Sequence, residues 1–173
     1  MTLEEAKEFY FQYKGYSFHM DREESAKYNS YRELGLGEEV LKEWDEELMG
    51  GLFDRMKADP DRAWAAHGDI LQIIGRQHCD TEKYLTRLLE EMENMDHLST
   101  GVMTLIIENM AGRTEPMKDG GVYVYRDHPI LAERMNAVME RLIAAYTVDK
   151  EAGKRFQDAV RRYRKAYAKW RTA

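Results

Sequence analysis

The chain has 173 residues, of which 43% are hydrophobic and 34% charged, with three prolines and a single cysteine, Cys79. That size and balance suit one folded domain, 1–173, that buries its own core; they exclude a disordered chain and an intramolecular disulfide. The net charge of −6 is uneven: residues 1–148 balance to −12 and residues 149–173 to +6, so the body repels polyanions while the tail attracts them or docks on its own acidic body.

Taken in order, Thr2-Leu3-Glu4-Glu5 fits a capping box, with Thr2 at the N-cap and Glu5 reaching back. The first helix then runs to about Tyr13 on Leu3, Ala6, Phe9, Tyr10 and Tyr13, and Gly15 stops it. A second helix is expected from Phe18 to Leu34, with a thin apolar face of Phe18, Tyr28 and Tyr31. After Gly35-Leu36-Gly37 a third helix covers Glu38 to about Met56, and Gly50-Gly51 marks a weak point or kink in it. Asp59-Pro60 reads as an N-cap followed by proline in the first helical position. That fourth helix is expected to reach Gly75 or His78, using Ala63, Trp64, His67, Ile70, Leu71 and Ile74.

Asp80-Thr81 opens a fifth helix with Tyr84, Leu85, Leu88, Leu89, Met92 and Met95 on one side. The sixth begins at Ser99 or Thr100. From Val102 to Met110 it is apolar most of the way round, so it must be covered most of the way round. It is too short to span a bilayer, which makes it the expected hub of the domain. The longest non-helical stretch follows, Gly112 to Asp127. Within it Asp119-Gly120-Gly121 and the alternation Val122-Tyr123-Val124-Tyr125 predict a small β-hairpin near 114–126. Asp127-His128-Pro129 opens a seventh helix on Leu131, Met135, Val138, Leu142 and Tyr146. A last helix is expected from Thr147 or Asp149, with Phe156, Val160, Tyr163, Tyr167 and Trp170 at four-three spacing. The fold expectation is all-α: a single irregular bundle of seven or eight mostly antiparallel helices, with stacked helix pairs of solenoid type as the alternative.

Motifs of chemistry are sparse. The chain has no P-loop, no dinucleotide-binding glycine pattern, no nucleophile elbow and no kinase signature, so no catalytic residue and no cofactor is assigned. His67 and His78 share a helical face but stand three turns apart, about 16 Å, too far to hold one metal between them; no metal site is assigned. His19 and Glu23 stand one turn apart, a spacing that serves either an acid–base pair or a surface ion pair. The last helix interleaves Arg161, Arg162, Arg164, Lys165, Lys169 and Arg171 with Tyr163, Tyr167 and Trp170. Bases with stacking rings bind single-stranded nucleic acid, yet the four-three spacing of the rings favours a buried seam.

The function expected is that of a protein-interaction, adaptor or regulatory module. Its contact surface is assigned to Tyr123, Tyr125, Arg126 and His128 in and beside the long loop, with Tyr13 and Tyr16 from the aromatic-rich N-terminal region. The partner is another protein or a second copy of the chain. Nucleic-acid binding through the last helix is the first alternative, and an enzyme or small-ligand binder with a pocket between helices is the second. The acidic, amphipathic start of the chain resembles no signal peptide, and no membrane span is found, so a cytoplasmic protein without membrane contact is expected.

Overall fold

Helix-forming local sequence becomes eight helices in the computed structural model, which describes residues 1–74, 79–114, 128–148 and 152–172. They are α1 (Leu3–Gln12), α2 (Ser17–Glu33), α3 (Glu38–Ala58), α4 (Ala63–Ile73), α5 (Thr81–Met92), α6 (Thr100–Thr114), α7 (Pro129–Thr147) and α8 (Lys154–Thr172). Two 3-10 turns, Pro60–Arg62 and Met95–His97, complete the set, and there is no strand among the described residues. The hairpin expected near 114–126 and the histidine at position 78 lie outside the described residues.

Local chemistry explains most of the helix ends. The Thr2 hydroxyl accepts from the Glu5 amide at 3.2 Å, and the Thr2 amide donates to Glu5 Oε2 at 2.7 Å, which closes the capping box. Asp80 caps α5 by accepting from the Lys83 amide at 3.1 Å, and the Ser99 hydroxyl accepts from the Val102 amide at 3.3 Å where α6 begins. Pro129 opens α7 in the first turn, where its missing N–H costs nothing.

Several helices differ from expectation, among them α4, which ends at Ile73 with Ile74 in an extended conformation and so stops short of Gly75. Asp59 makes no side-chain cap; a 3-10 turn at Pro60–Arg62 intervenes and α4 starts only at Ala63. Helix α3 runs unbroken through Gly50 and Gly51, because hydrogen bonding on both sides and the buried Leu48, Met49, Leu52 and Phe53 hold the turn that the glycines weaken. Helix α8 begins at Lys154, later than Thr147 or Asp149: Thr147 still belongs to α7, its hydroxyl donating to the Ile143 carbonyl at 2.6 Å.

The hub is where the sequence places it. In α6 Met103, Ile106, Ile107, Met110 and Ala111 have no exposed surface, and Val102 and Thr104 are buried. The Thr104 hydroxyl donates to the Thr100 carbonyl at 2.7 Å, so its burial leaves no donor unmet. Helix α6 packs against α4 on one side and α8 on another, and it touches α7 and the Pro60–Arg62 turn. Helix α3 lies on α4, and α5 lies on α7. The Tyr146 hydroxyl of α7 donates to the Met95 and Leu98 carbonyls, each at 2.8 Å, and so ties α7 to the turn that leads into α6. Buried apolar side chains of all eight helices merge into one cluster, so the architecture is an all-α irregular bundle. Among the described residues no helix is long and apolar enough to cross a membrane.

Candidate functional site

The N-terminal aromatic residues divide into a buried and an exposed group. Phe9 and Tyr10 point inward from α1. The Tyr10 hydroxyl donates to Asp45 Oδ1 at 2.6 Å, and its ring meets Trp44 edge-on at 5.5 Å, which pins α1 to α3. Tyr13 is half-buried, with its ring 5.2 Å from Phe9 and its hydroxyl donating to Glu24 Oε1 at 2.8 Å. That hydrogen bond raises the Tyr13 phenol and lowers the Glu24 carboxyl from their ordinary values. Gln12 donates to the same carboxylate at 3.0 Å. Glu24 is also where α2 leaves helical geometry (φ −138°, ψ 56°), so the kink coincides with the residue drawn toward α1.

Beyond Gly15 the chain turns its rings to solvent. Tyr16 is 48% exposed and Phe18 62% exposed, while Met20 is the one buried residue of α2 among those described. The rings of Tyr16 and Phe18 lie 6.3 Å apart, and His19 contacts both, at 4.7 and 5.8 Å. Arg22 covers the Phe18 ring from 5.6 Å. The same guanidinium donates to His19 Nδ1 at 3.0 Å and to Glu23 Oε1 at 2.7 Å. A positive group thus sits between imidazole and carboxylate and holds Glu23 below the usual carboxylate range. Arg22 and Glu23 form an exposed surface ion pair, and His19 Nδ1 lies 3.5 Å from the same carboxylate oxygen. The result is a continuous surface patch of exposed Tyr16, Phe18 and Arg22 around the half-buried His19. Phe18 and Arg22 are members that sequence reasoning missed; the one-turn spacing of Phe18 and Arg22 was the available signal.

Of the other expected contact residues, Tyr123, Tyr125 and Arg126 lie outside the described residues. His128 is half-buried at the start of α7, where its carbonyl accepts from the Ala132 amide at 3.0 Å. His67 has no exposed surface, and burial pushes its imidazole down to about 3, so it is neutral. Asn109 Nδ2 stands 3.5 Å from His67 Nδ1 and donates to the Trp64 carbonyl at 2.8 Å. With Nδ1 facing a donor, the ring proton sits on Nε2, which has no partner among the described residues. His67 and His19 therefore do not converge on a common site, and no group of three or more His, Cys, Asp and Glu side chains that could hold a metal ion occurs among the described residues.

On α8 the aromatic seam faces the bundle. Tyr163 is buried, its hydroxyl donating to Asn136 Oδ1 at 2.9 Å, while Tyr167 and Trp170 are half-buried and stacked on each other at 5.4 Å. Arg155 grips Glu108 with two bonds of 2.8 Å, and Arg164 grips Glu140 at 2.7–3.2 Å. Part of the tail's positive charge is thus spent on the acidic body of its own chain. Arg161, Arg162, Lys165 and Lys169 lie along the remaining solvent face. No family model, no curated protein and no solved structure matches this chain.

Proposed function

We propose that this protein acts by binding another protein, and that the Tyr16–Phe18–His19–Arg22 patch is its contact surface. The observation that carries the reading is the exposure of two neighbouring large aromatic rings (48% and 62%) at the start of α2, a helix that buries only Met20 among its described residues. Aromatic residues and arginine, packed together and open to solvent, are the residue types that dominate binding energy when a partner desolvates them. The proposed setting is the cytoplasm, where a chain with one cysteine needs no oxidising environment.

Affinity capture from native cells with the wild-type chain and with a Tyr16→Ser/Phe18→Ser variant tests it. The expected result is a partner retained by the wild type and lost from the variant while helical content and melting stay the same. Equal capture by both proteins overturns the assignment of the surface.

A second reading, nucleic-acid binding, is favoured by the row of Arg161, Arg162, Lys165 and Lys169 on α8. Its ring component is weakened by the burial of Tyr163 and the mutual stacking of Tyr167 and Trp170. Phosphate contacts there would give single-stranded RNA affinity that falls steeply with salt. Absence of binding at low salt removes this reading.

A further inference from the structure

In helix α2 the shape departs from what the local sequence favours. Glu23, Glu24, Ala26 and Lys27 are good helix formers, and no glycine or proline stands among them, so nothing local demands a break between Ser17 and Glu33. The backbone nevertheless leaves helical geometry at Glu24, with φ −138° and ψ 56°. We infer that α2 is an arm with two positions: Glu24 is the catch that holds it bent, and release of the catch straightens the helix and redirects Tyr16 and Phe18. What the arm presents rests on the reading of that patch as the contact surface; the bend itself does not.

The catch joins two helices. Glu24 Oε1 accepts from the Tyr13 hydroxyl at 2.8 Å and from Gln12 Nε2 at 3.0 Å, both at the end of α1, while Lys27 lies 3.7 Å from Oε2. Hydrogen bonds to a charged acceptor are the stronger kind, and two of them on one oxygen oppose straightening. The opposition is finite, because the Glu24 side chain is 36% exposed and water competes for the same oxygen. A competing contact of modest size is enough to release it.

The two sides of the break are held unequally. After it, Tyr31 meets Phe9 edge-on at 6.0 Å, Lys27 covers the same ring from 4.7 Å, and Tyr28 stacks on Tyr31 at 6.1 Å. Before it, only Met20 of residues 17–23 is buried. Arg22 ties Phe18, His19 and Glu23 to one another inside that segment, so the patch moves as one body. Across the break the Ser25 hydroxyl donates to Asp21 at 3.1 Å, a four-residue spacing that a straight helix also permits. Local preference and observed shape therefore disagree at one residue, which is the condition for an element with two arrangements of similar energy.

NMR of the uniformly 13C,15N-labelled chain tests this without a partner. Residual dipolar couplings give the angle between residues 17–23 and 26–33, and Cα shifts report whether Glu24 is helical. In the wild type Glu24 is expected outside the helical range, with the two segments more than about 20° apart, the mark of a sharp kink. Tyr13→Phe/Gln12→Ala removes both donors and keeps the Tyr13 ring on Phe9; Glu24→Ala removes the acceptor. Both variants should move Glu24 to helical values and bring the angle below about 20°, with the amide shifts of α3 and α6 unchanged. The inference is overturned by a straight α2 in the wild type or by a retained bend in either variant. Random-coil shifts over residues 17–23 in either variant also overturn it, since the two bonds would then be a stabilising contact and nothing more. These outcomes leave the patch assignment to the Tyr16→Ser/Phe18→Ser capture, and failure of that capture leaves the two positions of α2 standing.

Discussion

Lowering the pH from 7 to 5 should cost the folded state about 2 kcal/mol through His67 alone. In the native protein burial holds this imidazole near 3, whereas in the unfolded chain it titrates at its ordinary value of 6.5. Between those two values the unfolded state binds one more proton than the native state, so stability falls as the pH falls. At pH 5 the solution lies about 1.5 pH units below the unfolded value, and each unit is worth about 1.36 kcal/mol. Full burial means no discount for solvent screening applies. Urea unfolding at pH 7 and pH 5, on the wild type and on His67→Gln, measures the difference. Glutamine retains an acceptor for Asn109 but does not titrate. Its absolute stability will differ, so the quantity compared is the loss between the two pH values. Carboxylates that titrate in both proteins cancel in that comparison. The wild type should lose about 2 kcal/mol more than the variant; equal losses, or an imidazole resonance that titrates above pH 5 in the native protein, would refute the reasoning.

Two further predictions follow from the helices themselves. Ile106→Asn places an unpaired amide at the fully buried centre of α6 and should destabilise by roughly 3 kcal/mol or more, enough to abolish a cooperative melt; Leu105→Asn, one residue away but half-buried, should cost clearly less. Gly51→Ala should stabilise by about 0.5–1 kcal/mol, because Gly51 is exposed inside an intact helix and a Cβ there meets nothing within 4 Å. Thermal melts of the three variants by circular dichroism check them, and a lower Tm for Gly51→Ala would show that α3 needs the glycine.

Features set by neighbours in the chain were legible, and features set by distant partners were not. The capping box at Thr2 and Glu5 involves residues three apart, and both of its bonds form. The hub could be read from α6 because a helix apolar on nearly every side has only one kind of place to go. The start of α8 could not be read, since Thr147 and Asp149 are as good at opening a helix as Thr147 is at ending one by bonding to Ile143. His19 and Glu23 were correctly placed side by side, but only the structure puts the Arg22 guanidinium on both. The ion pair of Lys14 with Asp69 has no local signature, since whole helices separate the two residues in the chain. The left-handed backbone at Lys14 was masked by Gly15, which offered the obvious residue for ending α1.

The packing of α6 against α8 also sets an order of events during synthesis. The hub leaves the ribosome well before the helix that covers one of its faces, and the stretch between Thr114 and Thr172 takes roughly 3–12 s to translate at typical rates. Throughout that interval the face α8 will cover stays open to solvent. A nascent chain stalled before Lys154 would therefore display the apolar surface of α6 to chaperones and to other nascent chains, and Arg155, at the start of α8, is the first residue of that helix with a partner on α6, at Glu108. In chain order that bidentate contact precedes the buried Phe156, Val160 and Tyr163, so the ion pair is available to hold the start of α8 while the rest of the helix is still being made.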